Sequence, residues 1–274
     1  TDAASAARDS FGGGIYFESA TGGVAMTRGE AGCVISGNDA FSLCDSLECT
    51  TYGKGGGIYV AAGDLDLSSC VVSGNSARSH AATSWGHSIA HGGGVYLVAG
   101  SVQLTNSIVG SNTVEGVGGS NGYPSQERGG GLYLQGGAIG LFNSDLVDNL
   151  ENGAYREAGV LSADNSIVYG NSGTQIVGVA DFHYCDVEGG WPGVGNFDLS
   201  PGFVNSPADY HLLATSPCID AGDPAAVGLP ATDMDGQPRV NNGLVDLGPY
   251  ELSTALFADG FESSDTSEWS WTTP

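Results

Sequence analysis

An asparagine returns along this chain at fixed stations, each closing the same short phrase. "CVISGN" ends at Asn38, "CVVSGN" at Asn75, "SIVGSN" at Asn112, "SDLVDN" at Asn149 and "SIVYGN" at Asn171, so the stations lie 37, 37, 37 and 22 residues apart. A second phrase keeps step: "GGGIYF" from Gly12, "GGGIYV" from Gly55, "GGGVYL" from Gly92 and "GGGLYL" from Gly129. Gly57 to Asn75, Gly94 to Asn112 and Gly131 to Asn149 are each 18 residues, and the first unit is six longer. Past Asn149, "NGAY" at Asn152 takes the place of "GGLY" at Gly130, so the bare repeat is 22 residues and the longer one is that unit plus 15. Self-similarity at such a period marks a chain whose repeats bury their apolar faces only by stacking on one another.

Within a unit the apolar residues alternate. Ile58 and Val60, Leu65 and Leu67, and Cys70 and Val72 point one way along three short runs separated by Gly or Asn turns. Three short strands per unit make one coil of a parallel β-helix, with like residues about 4.8 Å apart along the axis. The fold class is therefore all-β: a right-handed parallel β-helix solenoid with an irregular C-terminal cap. The marker asparagines read as bend residues, since Asn tolerates the left-handed conformation and its amide can bond the Asn of the next coil. Inward rows are predicted at Ile15, Ile58, Val95, Leu132 and at Ile35, Val72, Val109, Leu146, Val168. Cys33 and Cys70 share an inward row, where one strand spacing is marginal for a disulfide, so they read as free thiols. Cys44 and Cys49, close in sequence within a loop, are the easiest pair to bridge; the pairing of Cys33, Cys70, Cys185 and Cys218 stays open.

Composition agrees with a turn-rich β protein: 46 glycines, 14% charged residues, and no amphipathic helix longer than a few turns. Seven basic against 31 acidic residues leave a formal charge of −24, which repels nucleic acid, acidic polysaccharide and anionic membranes. The companions expected are neutral glycans, proteins and divalent cations. No 18-residue apolar run and no leader pattern is visible, so membrane insertion is not expected. Six cysteines in an acidic, Gly/Asn-rich chain favour an exported protein, secreted or at the cell surface.

Residues 39–54, 76–91 and 113–128 are three 16-residue insertions at one corner, read as lateral loops stacked into a wall. Their sequences differ while the coils do not, as expected if loops recognise and coils pack. Outward ladders run beside them: Tyr16, Tyr59, Tyr96, Tyr133 and Tyr155, and Val34, Val71, Ile108, Asp145, Ile167 and Asp186. The tyrosines, with Trp85 and Tyr123 in the loops, form a candidate surface for a glycan or protein, or else a seat beneath the loops. His80, His87 and His91 share one loop without helical geometry to enforce a metal site. Asp233, Asp235 and Asp246 supply hard oxygens for a structural calcium, or are polar turn residues; no other cofactor is indicated.

The chain resembles right-handed parallel β-helix repeat proteins of secreted bacterial type. The resemblance rests on the repeats, on "YCDVEGGWPGVGNFDLSPGFVNSPADYHLLATSPCIDAGDPA", and on "DMDGQPRVNNGLVDLGPYE". The "GGGIYV" and "SGN" repeats are similar to autotransporter-type surface proteins, and "LFADGFESSDTSEWSWTTP" is similar to a tail on many exported bacterial proteins. The resemblance implies export and a solenoid, and it carries no catalytic residue.

Domain boundaries follow: coils over 1–190, their continuation and cap over 191–252, and an aromatic acidic tail over 253–274. For catalysis, a uronate lyase needs clustered cations, whereas the seven here are dispersed, with only Lys54 and Arg128 ending stacked loops. No carboxylate pair stands out for a glycosidase, and there is no nucleophile elbow, phosphate loop or zinc spacing. The reading is an exported non-enzymatic structural or adhesive protein, with a carbohydrate-active enzyme or glycan-binding protein as the alternative. Phe257, Phe261, Trp269 and Trp271 are the candidates for head-to-tail self-association into filaments.

Overall fold

The structure, a computed structural model, describes residues 8–27, 33–45, 49–83, 85–119 and 124–252. Among these the regular elements are all β-strands, nearly all parallel, arranged in curled sheets. No helix among them is long and apolar enough to cross a membrane.

The period of the sequence becomes the register of the sheets. A six-stranded sheet runs in order from Cys33–Ser36 through Cys70–Ser73, Ile108–Gly110, Asp145–Val147 and Ile167–Tyr169 to Asp186–Val187, every pair parallel. A ten-stranded sheet carries the Gly-rich phrase, aligning Ile15, Ile58, Val95, Leu132 and Ala154 in adjacent strands. Ile58, Val95, Leu132 and Ala154 are fully buried and meet Val72, Val109, Leu146 and Val168 in one core. Each of the Ile, Val and Leu side chains contributes roughly 1.5–3 kcal/mol through removal from water.

The marker asparagines form a ladder through this core. Nδ2 of Asn38 donates to Oδ1 of Asn75 at 2.9 Å, and the same bond joins Asn75 to Asn112, Asn112 to Asn149 and Asn149 to Asn171 at 2.9–3.0 Å. Each Oδ1 also accepts the backbone N–H of the preceding marker, as Asn112 does from Asn75. The left-handed residue is not the asparagine, as expected from its turn chemistry, but its predecessor: Gly37, Gly74, Ser111, Asp148 and Gly170 have φ between 54° and 72°. The turn is thus made one residue earlier, which frees the asparagine to point inward and saturate buried backbone groups.

A second ladder lies at the start of the same strands, and it corrects the reading of the cysteines. Cys33 and Cys70 are opposite each other in register and are joined by a disulfide, with Cα atoms 4.6 Å apart. That separation falls inside the range a disulfide can span, so adjacent parallel strands do admit the bridge. Ser107, Ser144 and Ser166 continue the row, each accepting the backbone N–H of its predecessor in the series Cys70, Ser107 and Ser144.

The three insertions are strands rather than loops. Asp39–Cys44, Ser76–Ala81 and Thr113–Val117 make one parallel sheet, and Arg8–Phe11, Thr50–Lys54, His87–His91 and Gln126–Arg128 make another. Because each insertion has a neighbour of equal length 37 residues away, its backbone groups pair there instead of with water. Small buried residues, including Ala40, Ala77, Ala90, Ser79, Ser88 and Thr51, lie between the two sheets. At Gly53 an added Cβ would stand 2.3 Å from the carbonyl oxygen of Arg78, so the close backbone approach requires glycine.

Candidate functional site

The C-terminal segment 201–251 does not extend the stack; it lies along the outer face of the six-stranded sheet. Tyr210, Leu212, Cys218, Met234 and Leu247 form a second core with Ile108, Val147 and Ile167. Arg239, fully buried, clamps the segment: it donates to Asn106 Oδ1 at 2.6 Å, to the carbonyls of Gly248 and Pro249, and to Glu251 Oε1 at 2.9 Å. The row expected to face solvent is therefore covered over most of its length. Val34 is 60% exposed, Ile108 only 4%, and Asp145, Ile167 and Asp186 are fully buried. The two aspartates are not surface markers. Asp186 Oδ1 accepts the Leu199 N–H at 3.1 Å, and its Oδ2 accepts the Cys218 thiol at 3.3 Å. Burial pushes Asp186 up to about 6, and it raises Asp145 well above the usual carboxylate range, against the pull of Arg239.

Where the cover stops, an open groove of about 570 Å³ remains. Its floor is Val71, Ser73, Gly74, Ile108 and Ser111 from the sheet, and its wall is Pro207 to His211 with Tyr250. Strand Asp209–Leu212 pairs antiparallel with Phe203–Asn205, and this hairpin holds the wall in place. The His211 ring lies between two carboxylates, with Nδ1 2.6 Å from Asp209 Oδ1 and Nε2 2.7 Å from Asp235 Oδ2. It stacks on Tyr250 with centroids 3.8 Å apart. Burial alone would lower the imidazole pKa, but the hydrogen bonds to Asp235 and Asp209 outweigh it and raise the value. Both ring nitrogens are thus engaged by carboxylates, which favours the protonated ring. Tyr210 donates its hydroxyl to Asp148 Oδ2 at 2.9 Å, and Ser206 bonds the same oxygen. The groove therefore offers hydroxyls, aromatic rings and an apolar floor.

The residues singled out from sequence are placed elsewhere. The tyrosine ladder exists, with Tyr16, Tyr59, Tyr96, Tyr133 and Tyr155 stacked at centroid separations of 4.9–5.4 Å. It is not an open contact surface: Tyr59, Tyr96 and Tyr133 are buried, and Tyr16 alone of these four is exposed, at 52%. The cover is the row that ends the inserted strands. Lys54 lies 5.8 Å from the Tyr96 centroid, His91 stacks on Tyr133 at 4.3 Å, and Arg128 stands 4.8 Å from the Tyr155 ring. Each occupies the position just before a Gly-Gly-Gly phrase, which is the sequence signal for this cover. Lys54 and Arg128 thus serve as lids on aromatic rings, an arrangement favoured by the negative ring face. Burial, with Arg128 and Lys54 nearby, holds His91 down to about 3, so it is neutral.

Trp85 is 47% exposed at the outer turn of its insertion, away from the groove lining. Tyr123 lies outside the described residues, as do Phe257, Phe261, Trp269 and Trp271. Among the described residues no group of three or more His, Cys, Asp or Glu is placed to hold a metal ion, so the calcium reading of Asp233, Asp235 and Asp246 is replaced. Asp233 accepts the N–H groups of Asp235, Gln237 and Glu251, Asp246 accepts those of Asp220 and Leu252, and Asp235 faces His211. Their oxygens are turn acceptors. His80, His87 and His91 are likewise dispersed over two strands. Cys44 and Cys49 are bridged, while Cys185 and Cys218 are buried thiols.

Sequence reading reached only Asp235 of the His211 constellation. Asp209, Tyr210, His211 and Tyr250 sit in aperiodic sequence, and a histidine two residues after an aspartate was the sole local sign. No family model matches this chain, and no curated protein or solved structure matches it significantly.

Proposed function

We infer that this chain is a right-handed parallel β-helix solenoid acting as an exported, non-enzymatic adhesive or structural protein of the cell surface or extracellular matrix. The 37- and 22-residue registers and the continuous asparagine ladder support the solenoid reading. Two disulfides, Cys33–Cys70 and Cys44–Cys49, support an oxidising compartment.

One observation carries the choice of contact over catalysis: His211, the histidine of the open groove, has both nitrogens committed to Asp209 and Asp235. A general base needs a free nitrogen within reach of its proton. On this reading the groove serves contact, and the doubly engaged His211 supports it. Antibody against the protein should label intact cells, their matrix or the medium, and label confined to lysed cells overturns the exported reading. Purified protein incubated with pectin, alginate and neutral glucans should release neither unsaturated nor reducing ends; steady release of either overturns the non-enzymatic reading.

A further inference from the structure

The geometry points to a neutral glycan as the occupant of the groove between the six-stranded sheet and the hairpin 203–212. The proposal rests on the contact reading above and names its ligand class.

Charge is the first argument. The lining contains no Lys or Arg; its ionisable groups are Asp209, Tyr210, Tyr250 and His211, and the His211 ring is already engaged by Asp209 and Asp235. On a chain of formal charge −24, an anionic polymer would meet repulsion with no cation to neutralise it. Asp209 and Asp148 already accept hydrogen bonds from His211, Tyr210 and Ser206, so neither carboxylate is bare for direct pairing with an ammonium group, although the chain's net charge still favours a cation over an anion at long range. A ligand held by hydroxyls and apolar faces rather than by ion pairs fits this lining.

Shape and chemistry are the second. A pyranose ring has apolar C–H faces and hydroxyl edges, and it needs a flat aromatic surface beside hydrogen-bonding groups. The stacked His211 and Tyr250 rings supply the wall, Val71 and Ile108 the apolar floor, and Ser73 a hydroxyl, while the Ser111 hydroxyl is bonded to Tyr210. At Gly74 an added Cβ would meet nothing within 4 Å, so the floor is open above that backbone. The volume of about 570 Å³ lies inside the usual range for small-ligand sites, about 300–1,000 Å³. The row continues past the groove to Val34, which is 60% exposed, so a chain longer than the groove finds further apolar surface in line with it.

The test is calorimetric titration of the full chain with hexasaccharides of three charge classes: neutral glucose or mannose oligomers, oligogalacturonate, and fully deacetylated chitosan. At least one neutral oligomer should bind, with the two charged classes at least tenfold weaker. Ser73→Trp, which fills the floor from a half-buried position, should weaken that binding at least tenfold, as should Tyr250→Ala, while Tyr250→Phe stays within threefold of wild type. Preference for a charged class, no binding by any neutral oligomer, or binding indifferent to Ser73→Trp in a folded variant each overturns the proposal. These failures leave surface labelling untouched, whereas product release in the turnover assay removes the contact reading itself.

Discussion

Gly248 passes Asp145 so closely that a Cβ at position 248 would stand 2.7 Å from the carboxyl Oδ1. Gly248 also has φ of 86°, where side chains are strained. Neither Asp145 oxygen has a hydrogen-bond partner, and Tyr210, Cys218 and Arg239 are the ionisable groups whose charges couple to it. The C-terminal segment is thus closed over an acid whose pKa burial raises well above the usual carboxylate range.

This has a pH consequence. A carboxyl group whose pKa is raised on folding contributes its stability fully below the unfolded value, about 3.9, and loses it as pH rises through the folded value. Asp145 and Asp186 have this sign, Asp186 at about 6. The unfolding free energy of Asp145→Asn relative to wild type in urea titrations should rise as pH increases from 4 to 8, by about 1–3 kcal/mol. A constant difference across that range refutes the raised pKa.

His91 has the opposite sign. Its folded value of about 3 lies below the unfolded 6.5, so its contribution is complete above 6.5 and is lost as pH falls towards the folded value. His91→Phe keeps an aromatic ring over Tyr133 and should remove part of the acid loss of stability, by roughly a few kcal/mol at pH 4. Equal acid sensitivity of the variant and wild type counts against the buried neutral ring.

Asn112 sits mid-ladder with its side chain bonded to Asn75, Asn149 and the carbonyl of Val72. Asn112→Ala leaves several buried groups unsatisfied and should cost about 3 kcal/mol or more in chemical denaturation. Asn38→Ala, at the half-buried end of the ladder, should cost clearly less. Equal losses would mean that the ladder does not act as a connected network.

Thiol counting checks the bridges. Two of the six cysteines, Cys185 and Cys218, should react with a maleimide, and only after unfolding without reductant, because both are buried and their pKa values are raised by burial. Cys33→Ala together with Cys70→Ala removes a 37-residue closure and should destabilise by about 3–4 kcal/mol. Four or six reactive thiols in the unfolded protein refute the pairing.

What the sequence determined by itself is everything that repeats. The register of the parallel sheets, the inward rows from Ile58 to Leu132 and from Val72 to Val168, and the asparagine ladder were legible because each residue meets its own equivalent one repeat away. A contact at constant offset writes itself into the sequence as a period. Only the tertiary structure decided what covers those rows. Arg239 meets Asn106 across 133 residues, Tyr210 meets Asp148 across 62, and His211 meets Asp235 across 24, with no common offset. Segment 201–251 has no period, so its docking depends on shape and on which buried polar groups find partners, and that docking turned the outward row inward and left the groove. The tyrosine ladder shows both halves: its spacing was plain, but whether Tyr96 faced water depended on Lys54 and His91 arriving from a neighbouring sheet.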